Sequence, residues 1–184
     1  MPNFSSLKTI VLDRDGVINE DLWGYVTNKK EFKLIDGSLL AIKRLTNAGF
    51  IVVVATNQAC INKKIISKQQ LQGVHNHMSH LVQEAGGKID YVAFCPHMPE
   101  DKCSCRKPET GLLKEIEETL GCSLKKSFFI GDKESDVLCA SRHGCIPLLV
   151  KTGYGERTLS SENCPPKERC FENLLEAVSY VLKI

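Results

Sequence analysis

Two aspartates, Asp13 and Asp15, flank Arg14 and precede Gly16 in this 184-residue chain. In extended backbone, residues two apart point the same way, and crowded carboxylates repel unless a hard cation such as Mg²⁺ lies between them. Thr56 and Asn57 are short neutral groups able to hydrogen-bond phosphoryl oxygens, while Arg106 and Lys107 bring positive charge. Gly131-Asp132-Lys133, with Asp136 four residues after Asp132, offers further oxygen ligands. Carboxylates around a cation, beside fixed positive groups, suit phosphoryl transfer, which needs positioning and charge neutralisation above all.

A second constellation is softer. Cys95, His97, Cys103 and Cys105 place four nitrogen and sulfur donors within eleven residues. Such a set matches tetrahedral Zn²⁺, and with all four positions filled by protein the ion would be structural. Three thiolates, a neutral imidazole and Zn²⁺ leave one negative charge, which the adjoining Arg106 and Lys107 would offset. A zinc loop at about residues 95–107 would thereby hold two cations on an otherwise irregular segment.

These groups can act together only if the fold delivers them to one place. Short apolar runs alternate with helical patterns, the mark of a parallel α/β sheet. Strands are predicted over residues 9–12, 50–55, 89–94, 127–130 and 146–150. Helices are predicted over 37–48, 112–120 and 135–142, and from Ser67, whose capping box with Gln70 opens a long one; Leu174, Leu175, Val178, Val181 and Leu182 line a closing helix. The expected fold is a doubly wound, mainly parallel sheet of five strands or more, as a single domain over 1–184 without a large cap. Such sheets bind ligands beyond the carboxyl ends of their strands, where all the carboxylate, Thr-Asn and Arg-Lys groups fall.

In order along about residues 9 to 150, Asp13-x-Asp15-Gly16, Thr56, Lys107 and Gly131-Asp132-x3-Asp136 resemble the four motifs of the haloacid dehalogenase superfamily of phosphotransferases. The resemblance implies that Asp13 is a nucleophile forming an aspartyl-phosphate and Asp15 the general acid and base. It implies that Thr56 and Lys107 hold the phosphoryl group, and that Asp13, the backbone carbonyl of Asp15 and Asp132 hold Mg²⁺, with Asp136 supporting. The segment Cys95-Pro96-His97-x-Pro99-x3-Cys103-x-Cys105-Arg106-Lys107-Pro108, with Asp13 to Asn19 and Gly24-Tyr25-Val26, is more specific. It closely resembles bacterial D-glycero-D-manno-heptose 1,7-bisphosphate 7-phosphatases, whose relatives the histidinol-phosphate phosphatases share the zinc loop. That resemblance implies removal of the 7-phosphate on the way to nucleotide-activated heptose for lipopolysaccharide or other surface polysaccharide. Substrate contacts are implied for Asn19, Asp21, Gly24, Tyr25, Asn57, Gln58, Arg106 and Lys133. The chain departs from the pattern twice, in about one extra residue within Glu20-Asp21-Leu22-Trp23, and in Ala59 to Lys64, where a glycine-bearing loop is usual.

Histidinol phosphate is the rival substrate, and a catalytically silent zinc-stabilised binding protein the rival of another class. A net charge of +2 gives no general affinity for nucleic acid or acidic membranes. No run of about 18 apolar residues and no leader-like segment occurs, so a cytoplasmic monomer acting on a small sugar bisphosphate is expected. Nine cysteines, an odd number unevenly spaced, argue against a disulfide framework. Cys60, Cys122, Cys139 and Cys145 are expected as apolar fillers or incidental thiols, Cys164 and Cys170 as incidental thiols with a second metal or redox pair the lesser reading, and His75, His77 and His80 on a solvated helix surface.

Overall fold

The computed structural model describes residues 8–184; residues 1–7, on which the expectation of no leader-like segment rests, lie outside them. Alternate strand residues point to opposite faces of one sheet and build two cores. The strands are β1 (Thr9–Leu12), β2 (Ile51–Asn57), β3 (Tyr91–Cys95), β4 (Phe128–Gly131), β5 (Ile146–Val150) and β6 (Cys170–Phe171). The helices are α1 (Ser38–Asn47), α2 (Lys68–Glu84), α3 (Gly111–Leu120), α4 (Glu134–His143), α5 (Gly155–Thr158) and α6 (Leu174–Val181). On one face Ile10, Leu12, Val52, Val54, Ile130, Leu148 and Val150 pack with the apolar stripes of α1, α2 and α6. On the other, Val11, Val53, Ala55, Ala93 and Phe129 pack with Leu112, Leu113 and Ile116 of α3 and with Cys139 and Ala140 of α4. Continuous burial of both faces explains why the strands read as unbroken apolar runs rather than alternating ones.

All pairings are parallel, in the order β3-β2-β1-β4-β5-β6. The chain winds outward from β1 to β3, then crosses back to β4 on the other side of β1. The carboxyl ends of β1 and β4 therefore open side by side at the point where the winding reverses.

Predicted and observed elements agree apart from their edges and four short additions, two of them 3₁₀ turns at Pro99–Asp101 and Lys167–Arg169. β2 continues through Thr56 and Asn57, because Phe94 and Cys95 of β3 pair with them, so these residues belong to the strand rather than to the loop beyond it. The two-residue β6 and the four-residue α5 are too short for periodicity to reveal. Ser67 caps α2 with the expected reciprocal bonds to Gln70. Beyond the strand ends lie only loops, with no large cap among the described residues, and no described helix is long and apolar enough to cross a membrane.

Leu45 of α1 is fully buried between helix and sheet. Leu45→Ala should cost about 2–5 kcal/mol of unfolding free energy, seen as a lower denaturant midpoint at unchanged slope.

Candidate active site

At the winding reversal, β1 delivers Asp13 and β4 delivers Asp132. The Asp13 amide donates to the Ile130 carbonyl at 2.9 Å, locking the two strand ends together. Asp136, in the first turn of α4, accepts from the Lys133 amide at 3.0 Å through Oδ2, an N-terminal capping bond that fixes its side chain. One oxygen each from Asp13, Asp132 and Asp136 lie within 4.8 Å of one another, and all three residues are buried. Two glycines permit this crowding. A Cβ on Gly16, whose φ is +83°, would stand 2.2 Å from Asp132 Oδ2, and one on Gly131 would stand 2.3 Å from the Cβ of Asp136.

The segment after β5 closes over the trio. The Tyr154 amide donates to Asp132 Oδ2 at 2.8 Å, Thr158 Oγ1 to the Asp132 carbonyl at 2.8 Å, and Thr152 Oγ1 to the Gly16 carbonyl at 2.6 Å. Sequence reading missed these three residues, although the rule that sites follow strands could have pointed to them.

Lys107 Nζ lies 2.9 Å from Asp13 Oδ1 and 2.6 Å from Asp136 Oδ1, while its aligned hydrogen bond goes to the Ala55 carbonyl at 2.7 Å. Lys107 thus bridges Asp13 and Asp136, whereas Oδ1 of Asp132 has no hydrogen bond. Burial, together with Asp136, pushes the Asp13 carboxyl up despite Lys107, and burial pushes Asp132 well up. Burial opposes the charge on Lys107, but Asp13 and Asp136 outweigh it and raise that lysine. Asp132, Asp13 and Asp21 likewise outweigh burial at Lys133 and raise it. Three buried carboxylates gathered within 4.8 Å of one another, with Lys107 against only two of them, are a donor set fitted to a hard divalent cation.

Asp15 is held differently, and its carboxylate stands outside the trio. Its oxygens accept from Arg14 Nε at 3.1 Å and Nη2 at 2.8 Å, from Asn19 Nδ2 at 2.9 Å and from Gln58 Nε2 at 2.8 Å. Burial pushes this carboxyl up, but Arg14 and the three hydrogen-bonding side chains carry it below the usual value. Gln58 also donates to Thr56 Oγ1 at 2.9 Å, so Asn19 and Gln58, both buried, grip Asp15 from behind. Asn57 receives the Lys107 amide and donates to the Lys107 carbonyl, each at 3.1 Å, which clamps the backbone of that lysine to β2.

Asp13, Asp15, Thr56, Asn57, Lys107, Lys133, Ser135 and Asp136 line a narrow cleft of about 30 Å³. Lys107 also borders an open hollow of about 530 Å³ shared with Pro99, Lys102, Arg106 and Glu109. Lys133 Nζ reaches Asp21 Oδ2 at 2.8 Å and lies 4.6 Å from the Tyr154 ring centre. Arg106 donates to the His97 carbonyl at 2.9 Å. Tyr25 lies under Lys63, and a Cβ on Gly24 would meet only the Leu22 carbonyl, at 3.9 Å.

The cysteine loop leaves β3 and returns at Arg106. Cys95 Sγ is 3.2 Å from Cys105 Sγ and 3.7 Å from Cys103 Sγ, Cys103 and Cys105 are 3.5 Å apart, and His97 Nδ1 is 3.3 Å from Cys105. A tetrahedron with Zn–S bonds of about 2.3 Å has edges of about 3.8 Å, so these four donors are gathered at nearly that size. The remaining thiols pack as apolar groups: Cys60, Cys139 and Cys145 are buried, Cys122 is half-buried, and Cys164 and Cys170 Sγ stand 4.0 Å apart.

His75 is not on a solvated surface. It is 2% exposed on the inner side of α2, with Nε2 3.1 Å from Arg14 Nη1. The apolar stripe of α2 includes position 75, a register that the three-histidine pattern masked.

The chain is similar to known phosphatases over nearly its whole length. A HAD-hydrolase-like family model matches residues 104–177. The D-glycero-beta-D-manno-heptose-1,7-bisphosphate 7-phosphatase of Pseudomonas aeruginosa is 40% identical over 178 residues, covering 97% of this chain and 99% of the relative. That of Neisseria meningitidis serogroup A is 38% identical, covering 96% of each. The crystal structure of the D,D-heptose 1,7-bisphosphate phosphatase of B. bronchiseptica, complexed with magnesium and phosphate, superposes with a TM-score of 0.91 at 37% identity, covering 96% of this chain and 99% of that one.

Burial, and after it Arg14, lowers the His75 pKa from 6.5 to about 3. The unfolded chain therefore binds a proton between these values that the folded chain refuses, and stability falls as pH drops from about 6.5 towards 3. Chemical denaturation against pH should show wild type losing up to about 1.4 kcal/mol per unit more than His75→Gln in that window. Parallel profiles would contradict a buried neutral histidine.

Proposed function

The chain belongs to the D-glycero-D-manno-heptose-1,7-bisphosphate 7-phosphatase family of HAD-like hydrolases, and on that premise we propose that it removes the 7-phosphate of the β-anomer of this bisphosphate. The observation that carries the reading is the gathering of Asp13, Asp132 and Asp136 at the winding reversal, with Lys107 against Asp13 and Asp136. The product, heptose 1-phosphate, would serve nucleotide-activated heptose biosynthesis for lipopolysaccharide or other surface polysaccharide.

Asp13 is the nucleophile. Its carboxylate oxygen bonds to phosphorus as the bond from phosphorus to the sugar oxygen breaks, and Asp15 gives that oxygen a proton. Water then attacks phosphorus, its proton passes to Asp15, and the bond to Asp13 breaks. At rest Asp15 is held as the carboxylate by Arg14, ready for the base role. An arriving phosphate adds negative charge beside it and favours the protonated form that the acid role needs. Thr56 Oγ1 and Lys107 Nζ, at the cleft wall, steady the phosphoryl oxygens.

When bound, Mg²⁺ held by Asp13, Asp132 and the backbone carbonyl of Asp15, with Asp136 supporting, offsets charge on the phosphoryl group. Cys95, His97, Cys103 and Cys105 hold a structural Zn²⁺ that keeps Arg106 and Lys107 in place. Arg106, at the open hollow, and Lys133, with Asp21, Gly24 and Tyr25, receive the rest of the sugar bisphosphate. Asn57, Gln58 and Asn19 support this surface from within. The protein works as a cytoplasmic monomer, in a compartment that keeps its thiols reduced.

Asp13→Asn should fold normally and retain less than about a thousandth of wild-type turnover; appreciable activity would remove Asp13 as nucleophile. In a panel of both heptose bisphosphate anomers and histidinol phosphate, the β-anomer should give the highest kcat/KM, and a preference for histidinol phosphate would contradict the assignment. Metal analysis should find about one zinc per chain, lost in Cys103→Ser together with a lower Tm.

A further inference from the structure

Arg14 lies between the two reacting aspartates and is fully buried. Its Nε and Nη2 face Asp15, and the remaining terminal nitrogen, Nη1, is 3.1 Å from His75 Nε2. A guanidinium only donates, so this contact is a hydrogen bond only if Nε2 is the unprotonated nitrogen of a neutral ring. The surroundings impose that form. His75 is nearly inaccessible, its ring meets Phe94 edge-on at 5.8 Å between centres, and burial next to a permanent cation keeps it uncharged. The ring is thus an acceptor anchored to α2, placed behind the one cation that grips Asp15.

We propose that His75 is a positioning residue for the phosphatase reaction: its Nε2 accepts from Arg14 Nη1 and so fixes the guanidinium whose other edge holds the Asp15 carboxylate beside Asp13. The inference rests on the reading of Asp15 as general acid and base. Without the histidine, Nη1 is a buried donor with no partner and the guanidinium turns to find one. Asp15 turns with it. Proton transfer to the leaving oxygen and from the attacking water then fails more than binding does, since Asp13, Thr56 and Lys107, which line the same cleft, are unchanged.

Steady-state and quenched-flow kinetics on the full-length enzyme test this with three variants. His75→Phe, and the smaller His75→Leu should the first not fold, are expected to lower kcat at least about tenfold with KM nearly unchanged. With an aryl phosphate whose leaving group needs no proton, phosphoenzyme should accumulate above the wild-type level, because only its hydrolysis still calls on Asp15. A structural defect slows both steps together. His75→Gln, which offers a neutral carbonyl acceptor, should restore kcat to within a few-fold of wild type. In the wild-type protein, ¹⁵N NMR should show His75 neutral with the proton on Nδ1. Wild-type kinetics in the Phe or Leu variant, equal losses in the Gln and apolar variants without phosphoenzyme accumulation, or a proton on Nε2 would each overturn the proposal. Asp15→Asn separates the two levels. If it keeps full turnover, the role of Asp15 is at fault, whereas an inactive Asp15→Asn beside an unaffected His75→Phe removes the positioning role alone.

Discussion

Three carboxylates brought together in the dry end of a sheet repel one another, and most of the surrounding structure answers that repulsion. Asp13, Asp132 and Asp136 approach within 4.8 Å, which Gly16 and Gly131 allow by having no side chain in the way. Lys107 and Lys133 supply two positive charges, and both are raised by the acids they face. Backbone donors from Lys133 and Tyr154 satisfy one oxygen each of Asp136 and Asp132. Lys107 meets one oxygen of Asp13 and the other oxygen of Asp136, and Oδ1 of Asp132 is left without a hydrogen bond. A divalent cation completes such a set, whereas a lone proton would satisfy only one member of it.

Asp15, two residues from Asp13, is kept out of this cluster by Arg14, Asn19 and Gln58. Adjacent carboxylates thereby receive opposite treatment: burial raises Asp13, and a guanidinium lowers Asp15. Divergent environments for paired acids are what separate a nucleophile from a proton carrier. The cysteine loop adds a constraint from the other side. It ends at Arg106, whose amide meets Cys103 Sγ and whose guanidinium meets the His97 carbonyl, so the fold of the loop and the placement of Lys107 are one problem. Asn57 closes it by clamping the Lys107 backbone to β2.

The strands were readable in the sequence because both faces of the sheet are covered, which leaves uninterrupted apolar runs with polar residues just past their ends. The trio and Lys107 were legible for that reason, and the four zinc-loop donors through their close spacing. Short α5 and β6 carry no period, and Thr152, Tyr154 and Thr158 act through a turn, two hydroxyls and one backbone amide, groups that leave little trace in residue type. Asn19, Asn57 and Gln58 were expected to touch substrate, whereas their side chains hydrogen-bond Asp15 and the Lys107 backbone, a direction set by tertiary contacts that spacing does not encode. His75 shows the same limit: its neighbours His77 and His80 suggested a polar face, while helical phase places position 75 with Leu71, Val74 and Met78 in the interior.

The central claim is that this buried acidic cluster serves covalent phosphoryl transfer to Asp13. Its most direct test is to quench the enzyme during turnover with heptose bisphosphate and Mg²⁺, reduce the acyl phosphate with borohydride, and map the product by peptide mass spectrometry. The account predicts homoserine at position 13 and at no other carboxylate. Conversion of a different residue, or none while phosphate is released at the normal rate, would contradict it.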